Sequence, residues 1–207
     1  MKQGQLYIVS APSGAGKTSL MKALCAQLND VQVSVSHTTR KPRPGEENGV
    51  HYHFVDTETF QREIQQGLFL EYAQVFDHYY GTSRVAVQAL LDAGVDVILE
   101  IDWQGARLVR AATQDVVSIF ILPPSRAALE ERLRGRKQDE EAIIQRRMRD
   151  ACQEMSHYPE YDYLVINDDF NEALANLISI FSSHRLRLAR QVQHHQAVLN
   201  NLLQDHC

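Results

Sequence analysis

Six consecutive residues near the start of the chain, Ser13-Gly14-Ala15-Gly16-Lys17-Thr18, have the types and spacing of a phosphate cradle. Glycines let successive backbone N–H groups converge on phosphate oxygens, and a helix starting there adds positive potential. Lys17 supplies a point charge for β and γ phosphates, and the Thr18 hydroxyl is a Mg²⁺ ligand by type. The regular pattern is G-x-x-x-x-G-K-[ST]. Ala11 stands at its first position and Pro12 follows, a departure that leaves the phosphate-facing glycines in place. Triphosphate binding is the chemistry this segment implies.

Further on, Arg40 and Arg43 lie three apart on a proline-stiffened stretch, with Tyr52 after them and Tyr79-Tyr80-Gly81-Thr82 beyond. Two guanidinium groups and a phenol can grip one phosphate by charge-assisted hydrogen bonds. Alone this is also what a solvated basic loop looks like. Beside a phosphate loop it gains meaning, because phosphoryl transfer needs a second group held in line. Glu100 and Asp102 end the apolar run VILEID; carboxylates at the carboxyl end of a sheet strand face metal or substrate in open α/β folds. Asp102 is the stronger candidate and Glu100 the weaker.

Elements must position these groups. Leu6–Ala11 is a short apolar run bounded by turn residues and reads as a buried strand. Gly16–Leu28 follows as a helix. Val31–Ser36 and Val50–Val55 alternate like half-buried strands, with a loop over 38–49. Thr57–Gln66 reads as a helix capped by Asp56 and stopped by Gly67, and Val85–Ala93 as another. Val95–Ile101, Val116–Leu122 and Tyr163–Ile166 are apolar strands. Ser125 caps a helix carrying Leu129 and Leu133. A second helix, from Asp139, carries Ile144, Met148, Ala151 and Met155, after a basic connector at 134–139. A long helix follows from about Asn171. Apolar strands alternating with helices predict an α/β fold with a parallel sheet covered on both faces. Residues 33–83 break that rhythm and read as an insert with a small mixed sheet.

Composition narrows the classes. The 207 residues carry 21 Lys+Arg against 26 Asp+Glu, a net charge of −5, so an anionic ligand must be met by a local basic cluster. A general nucleic-acid coat is disfavoured, and no apolar run reaches the ~18 residues of a membrane span. The N-terminus lacks a cleavable leader pattern. Cys25, Cys152 and Cys207 show no paired spacing, which fits a reducing, cytoplasmic setting better than disulfides or zinc.

Taken together, APSGAGKTS, SHTTRKPRPGEENGVHY, FLEYAQVFDHYYGTS, ILEIDWQG, RLRGR and VINDD resemble guanylate kinases, most of all the bacterial ones, in the family's order over roughly residues 5–190. The resemblance implies transfer of the γ-phosphate of ATP to GMP, with Mg²⁺, and recycling of GMP in purine metabolism. It also implies a P-loop core (1–32, 84–124, 151–207), a GMP-binding insert (33–83) and a helical lid (125–150). Carried over, residues 11–18 (Ala11, Pro12, Ser13, Gly14, Ala15, Gly16, Lys17, Thr18) and Asn167 would hold ATP. Arg40, Arg43, Tyr52 and Tyr80 would hold the GMP phosphate, and Ser36, Glu71 and Thr82 would read guanine. Glu100 and Asp102 would lie at the GMP side, with Thr18 and Asp102 on the metal. Arg132, Arg136 and Arg147 would close over the transferring group. The Glu71 assignment has its own chemistry: a carboxylate accepts from both N1–H and N2–H₂ of guanine, and adenine offers neither.

Other readings compete. A scaffold of guanylate-kinase type would bind peptide and do no chemistry, but it predicts a degraded phosphate loop. A small GTPase would use Asp102-Trp103-Gln104-Gly105 as D-x-x-G, but no N-K-x-D follows. A kinase for another nucleoside monophosphate is opposed by Ser36, Glu71 and Thr82. GMP, with dGMP as a further candidate, is the expected substrate, without nucleic acid or membrane. The tail gathers His184, His194, His195 and His206, read as the solvated face of a long helix in preference to a metal site. Val198, Leu199, Leu202 and Leu203 would seat it on the core or on a second subunit, leaving monomer and homo-oligomer open.

Overall fold

The computed structural model describes residues 3–75, 77–113, 115–135 and 141–204. In chain order the elements are β1 (Leu6–Ser10), α1 (Lys17–Gln27), β2 (Val31–Val33), β3 (His37–Thr38), β4 (His53–Phe54), α2 (Thr57–Gln65), β5 (Phe69–Val75), β6 (His78–Ser83) and α3 (Arg84–Asp92). They continue with β7 (Asp96–Glu100), α4 (Trp103–Ala112), β8 (Val116–Leu122), α5 (Arg126–Gly135), α6 (Glu141–Met155), β9 (Tyr163–Ile166), α7 (Phe170–Arg185), α8 (Leu188–His194) and α9 (Gln196–Gln204).

The apolar strands assemble as expected. A parallel sheet runs in the order β2-β7-β1-β8-β9. Period-two alternation sends Tyr7 and Val9 to one face, where α1 and α7 cover them with Leu20, Leu24, Leu177 and Phe181. Leu6 and Ile8 go to the other, under Val87 of α3 and Ala106 and Val109 of α4. β1 is central, so its carboxyl end, where the chain crosses between the β7 and β8 sides, opens the cleft characteristic of such sheets.

The second sheet has the order β4-β3-β6-β5. β3 and β4 are parallel and the other pairs antiparallel, so it is mixed. Its small core is aromatic: Phe60 of α2 stacks on Phe69 and Tyr79, with centroids 4.5 and 5.4 Å apart. Gly81 permits this, since a Cβ there would come within 3.0 Å of both Phe60 and Phe69.

Several expectations change in detail. The strand expected over Val31–Ser36 divides: its last ladder bond to the core sheet is Ser34 N to Ile98 O, and the chain then joins the second sheet at His37. Val50–Val55 shrinks to His53–Phe54, because Gly49 turns with φ 80° and Asn48 takes the Phe54 N–H. Asp56 and Ser125 cap their helices as predicted, whereas α4 has no counterpart in the sequence reading. The helix expected from Asp139 begins, among the described residues, at Glu141.

The expected long terminal helix is three. α7 ends where Arg185 turns inward to Asp96, a carboxylate 2% exposed. Asp96 Oδ2 accepts from Arg185 Nε at 2.8 Å, and Oδ1 accepts from Gln5 N at 2.8 Å and Arg190 Nη2 at 3.0 Å. His184 is also not on a solvated face. It is buried and meets the Tyr163 hydroxyl at 2.9 Å, and burial pushes its imidazole pKa down. His194 and His195 are exposed, and His206 lies outside the described residues. Val198, Leu202 and Leu203 of α9 are exposed and do not seat on the core.

Candidate active site

At the end of β1, residues 11–16 turn through two glycines in the left-handed region, Gly14 (φ 93°) and Gly16 (φ 92°), into α1. The loop surrounds a cavity of about 310 Å³ at the start of the helix. Both glycines are also required by close approach. A Cβ on Gly16 would lie 2.4 Å from Asn167 Nδ2, and one on Gly14 3.0 Å from Leu129. Asn167 is buried and donates to Ala15 O at 2.7 Å, so the residue after β9 fixes the loop from behind. Lys17 Nζ stands 3.4 Å from Glu100 Oε2 at the end of β7, and Thr18 Oγ1 stands 3.5 Å from the same oxygen. A cation, a hydroxyl and a carboxylate therefore converge on one edge of the cavity.

Asp102 does different work. Its Oδ1 accepts the Gly105 N–H at 2.8 Å and caps α4. Of the two strand-end carboxylates, Glu100 is the one against Thr18. The first turn of α4 also meets the second sheet, where a Cβ on Gly105 would be 3.1 Å from Glu71 Oε2.

Glu71 sits opposite Thr82 across β5 and β6. It is 6% exposed, and Thr82 Oγ1 donates to its Oε1 at 2.6 Å. Burial raises its pKa to about 7, with the Asp102 charge adding to the rise and the Thr82 hydrogen bonds opposing it. One carboxyl oxygen is thus satisfied within the sheet, and the other lies against Gly105 of α4. Ser36, half-buried, precedes β3 on the same sheet.

Arg40 and Tyr52 gather with Tyr80 beside this sheet. The Arg40 guanidinium lies 5.4 Å from the Tyr52 ring centroid, and the Tyr52 and Tyr80 rings meet edge-on at 6.1 Å. Burial, then the Tyr80 hydroxyl, pushes the Tyr52 phenol up; the Glu100 charge also raises it, which joins this cluster electrostatically to the phosphate loop. Arg43 is exposed. Glu46, missed by the sequence reading, organises the loop. Its Oε1 takes Arg40 Nη2 at 2.8 Å and its Oε2 takes Arg43 N at 2.7 Å. The Arg40 hydrogen bond holds its pKa at about 2. The signal was a Glu three residues beyond Arg43, across Pro44-Gly45.

α5 and α6 form a separate apolar pair through Leu129, Leu133, Ile144, Met148 and Ala151. Arg132 Nη2 donates to Asn167 O at 2.9 Å, while its Nη1 is buried with no hydrogen-bond partner among the described residues. Arg147 is half-buried on α6. Arg136 lies outside the described residues. Glu154 of α6, also absent from the sequence reading, lines the phosphate-loop cavity.

Comparison with known proteins decides the family. The profile described as guanylate kinase matches residues 3–184. The chain belongs to the guanylate kinase family. It is 62% identical over 201 residues to a guanylate kinase of Chromohalobacter salexigens, covering 97% of this chain and 94% of that protein. It is 57% identical over 207 residues to one of Escherichia coli K12, covering 99% and 100%. The crystal structure of guanylate kinase from Anaplasma phagocytophilum superposes with a TM-score of 0.74 at 34% identity, covering 91% and 90%. The P-loop core and the mixed second sheet are thus the architecture of a guanylate kinase.

Proposed function

We propose that this chain transfers the γ-phosphoryl group of ATP to GMP, giving ADP and GDP. The observation that carries the reading is the buried Glu71–Thr82 pair on the second sheet, in a chain whose core sheet carries an intact phosphate loop. A carboxylate in that setting reads guanine, because adenine would leave it desolvated and unpaired. The loop amides and Lys17 hold the ATP phosphates. Arg40, Arg43, Tyr52 and Tyr80 hold the GMP phosphate, with Glu46 fixing the arginines. Asn167 sets the loop's shape on the nucleoside side.

The Thr18 hydroxyl and the Glu100 carboxylate beside it are hard oxygen donors and suit Mg²⁺, with the Asp102 oxygen not used in capping α4 a further donor of the same type. When bound, the ion neutralises charge on the phosphates. Residues 125–150 act as a lid over a core of 1–32, 84–124 and 151–207 and an insert of 33–83. Arg132, Arg136 and Arg147 are brought over the transferring group when both substrates are bound, which excludes water. Among the described residues no helix is long and apolar enough to cross a membrane, and a cytoplasmic enzyme of purine nucleotide recycling fits the reading.

The test is ADP formation from ATP with GMP, dGMP, AMP, CMP and UMP in turn. GMP is expected to exceed AMP in kcat/KM by about 10⁴-fold, the scale for a site built to hydrogen-bond a group the competitor lacks. Comparable turnover of AMP would overturn the assignment.

A further inference from the structure

Among the described residues lining the phosphate-loop cavity, Glu154 is the one carboxylate. It lies in the last turn of α6, and its half-buried side chain faces the loop opposite the start of α1. Burial and the Asp102 and Asp150 carboxylates raise its pKa; the Ser13 N–H and the Lys17 ammonium oppose that rise by favouring the anion. A carboxylate that lines the cavity together with Ser13 and Lys17 competes for the space a phosphate oxygen would take.

The helix that carries Glu154 belongs to the α5–α6 pair. Its stripe of Ile144, Met148 and Ala151 packs on Leu129 and Leu133, with Met155 against the same cluster. Those leucines contact the loop at Gly14. Arg147 precedes Glu154 by seven residues and shares its helix face. One face of α6 therefore presents a cation and an anion two turns apart.

We infer that Glu154 is a resident counter-anion of the nucleotide cradle, competing with the ATP phosphates for the loop and Lys17 and leaving when ATP enters. This rests on the reading of the loop as the ATP phosphate site. ATP binding then includes the displacement of Glu154. Because Glu154 is built into α6, its departure shifts the helix that also bears Arg147. The incoming polyphosphate repels one end of that helix face and attracts the other. The cost of displacement lowers the apparent affinity of the cradle, since only the fraction of molecules with Glu154 withdrawn is competent to bind.

Inorganic pyrophosphate tests this, because it probes the cradle without base or ribose. Titration calorimetry on the full chain should show Glu154→Gln binding pyrophosphate about tenfold more tightly than the parent, with GMP affinity unchanged. Glu154→Asp keeps the charge on a shorter stem and should show a smaller gain, which also covers the case in which the Gln variant fails to fold. A residue that merely supports the loop would give weaker binding when replaced. Unchanged or weaker pyrophosphate binding by both variants overturns the inference. If Lys17→Met leaves pyrophosphate and ATP binding intact, the parent reading of the cradle fails; if it abolishes them while the Glu154 variants match the parent, only the inference fails.

Discussion

The phosphate loop and the Arg40–Tyr52–Tyr80 cluster, both proposed above to hold anions, are opposite constructions. The loop is contiguous in sequence and works through backbone: two left-handed glycines, a helix start and one lysine, locked from behind by Asn167. The cluster is drawn from a loop, the β4 approach and β6, and works through side chains, with its arginine loop held by Glu46. Each has a carboxylate close by, and the two do different jobs. Glu46 is bonded at both oxygens and gives the loop its shape. Glu154 lines an open cavity from a separate helical pair. A backbone cradle is preformed and needs clearing, whereas a side-chain cradle needs building. Removing the two carboxylates is therefore expected to have effects of opposite sign.

The largest expected effect breaks the backbone site. Lys17→Met should lower kcat by about 10²–10³, the scale of losing one preorganised electrostatic contact, with the GMP KM little changed. Near-normal turnover in a coupled ADP assay would remove Lys17 from the chemistry.

Glu71→Gln comes next and acts on the second sheet alone. It should raise the GMP KM about a hundredfold, the cost of breaking a buried charge-assisted contact. It should also narrow the GMP-over-AMP ratio while sparing the ATP KM. Its pH dependence has a definite sign. Folding raises the Glu71 pKa from 4.5 to about 7. The stability this contributes is full below about 4.5 and is lost as pH rises through about 7. Under the proposed function GMP is read by the ionised carboxylate, so GMP affinity should improve over the same rise. Thermal melts and GMP titrations from pH 5 to 8 should show both trends in the parent and neither in Glu71→Gln.

The smallest effect sharpens the contrast. Glu46→Gln keeps shape but loosens Arg40, and should raise the GMP KM about tenfold with kcat nearly intact, in keeping with the modest contribution of an ion pair near the surface. A lower GMP KM would mean that Glu46 competes with the substrate phosphate, and the distinction from Glu154 would collapse.

Sequence alone carried much of the core. β8 and β9 fall where apolar, β-branched runs end at Pro123 and Asn167, and the loop's glycines announce its geometry. Local signals gave less for the second sheet, where β3 and β4 are two residues each and exist only because β6 pairs with β3. α4 escaped because its cap, Asp102, reads equally well as a cleft carboxylate. Glu46 and Glu154 escaped for a related reason: a polar loop residue and a helix-end carboxylate look solvated until the packing of α6 or the reach of Arg40 is known. His184 erred the other way, since a basic stretch concealed that α7 buries one histidine against Tyr7 and Tyr163.

The Asp96 knot bears on how the molecule is made. Arg190 follows Asp96 by 94 residues. At a synthesis rate of about 5–20 residues per second, a nascent chain waits roughly 5–20 s between making the carboxylate and making its last cation. Every element of the cleft, from the loop to Asn167, is synthesised inside or before that interval. The amino-terminal end of β7 is sealed last, by Arg185 and Arg190, so the cleft at the carboxyl ends of the strands can take shape while the opposite end of the sheet is still open to water.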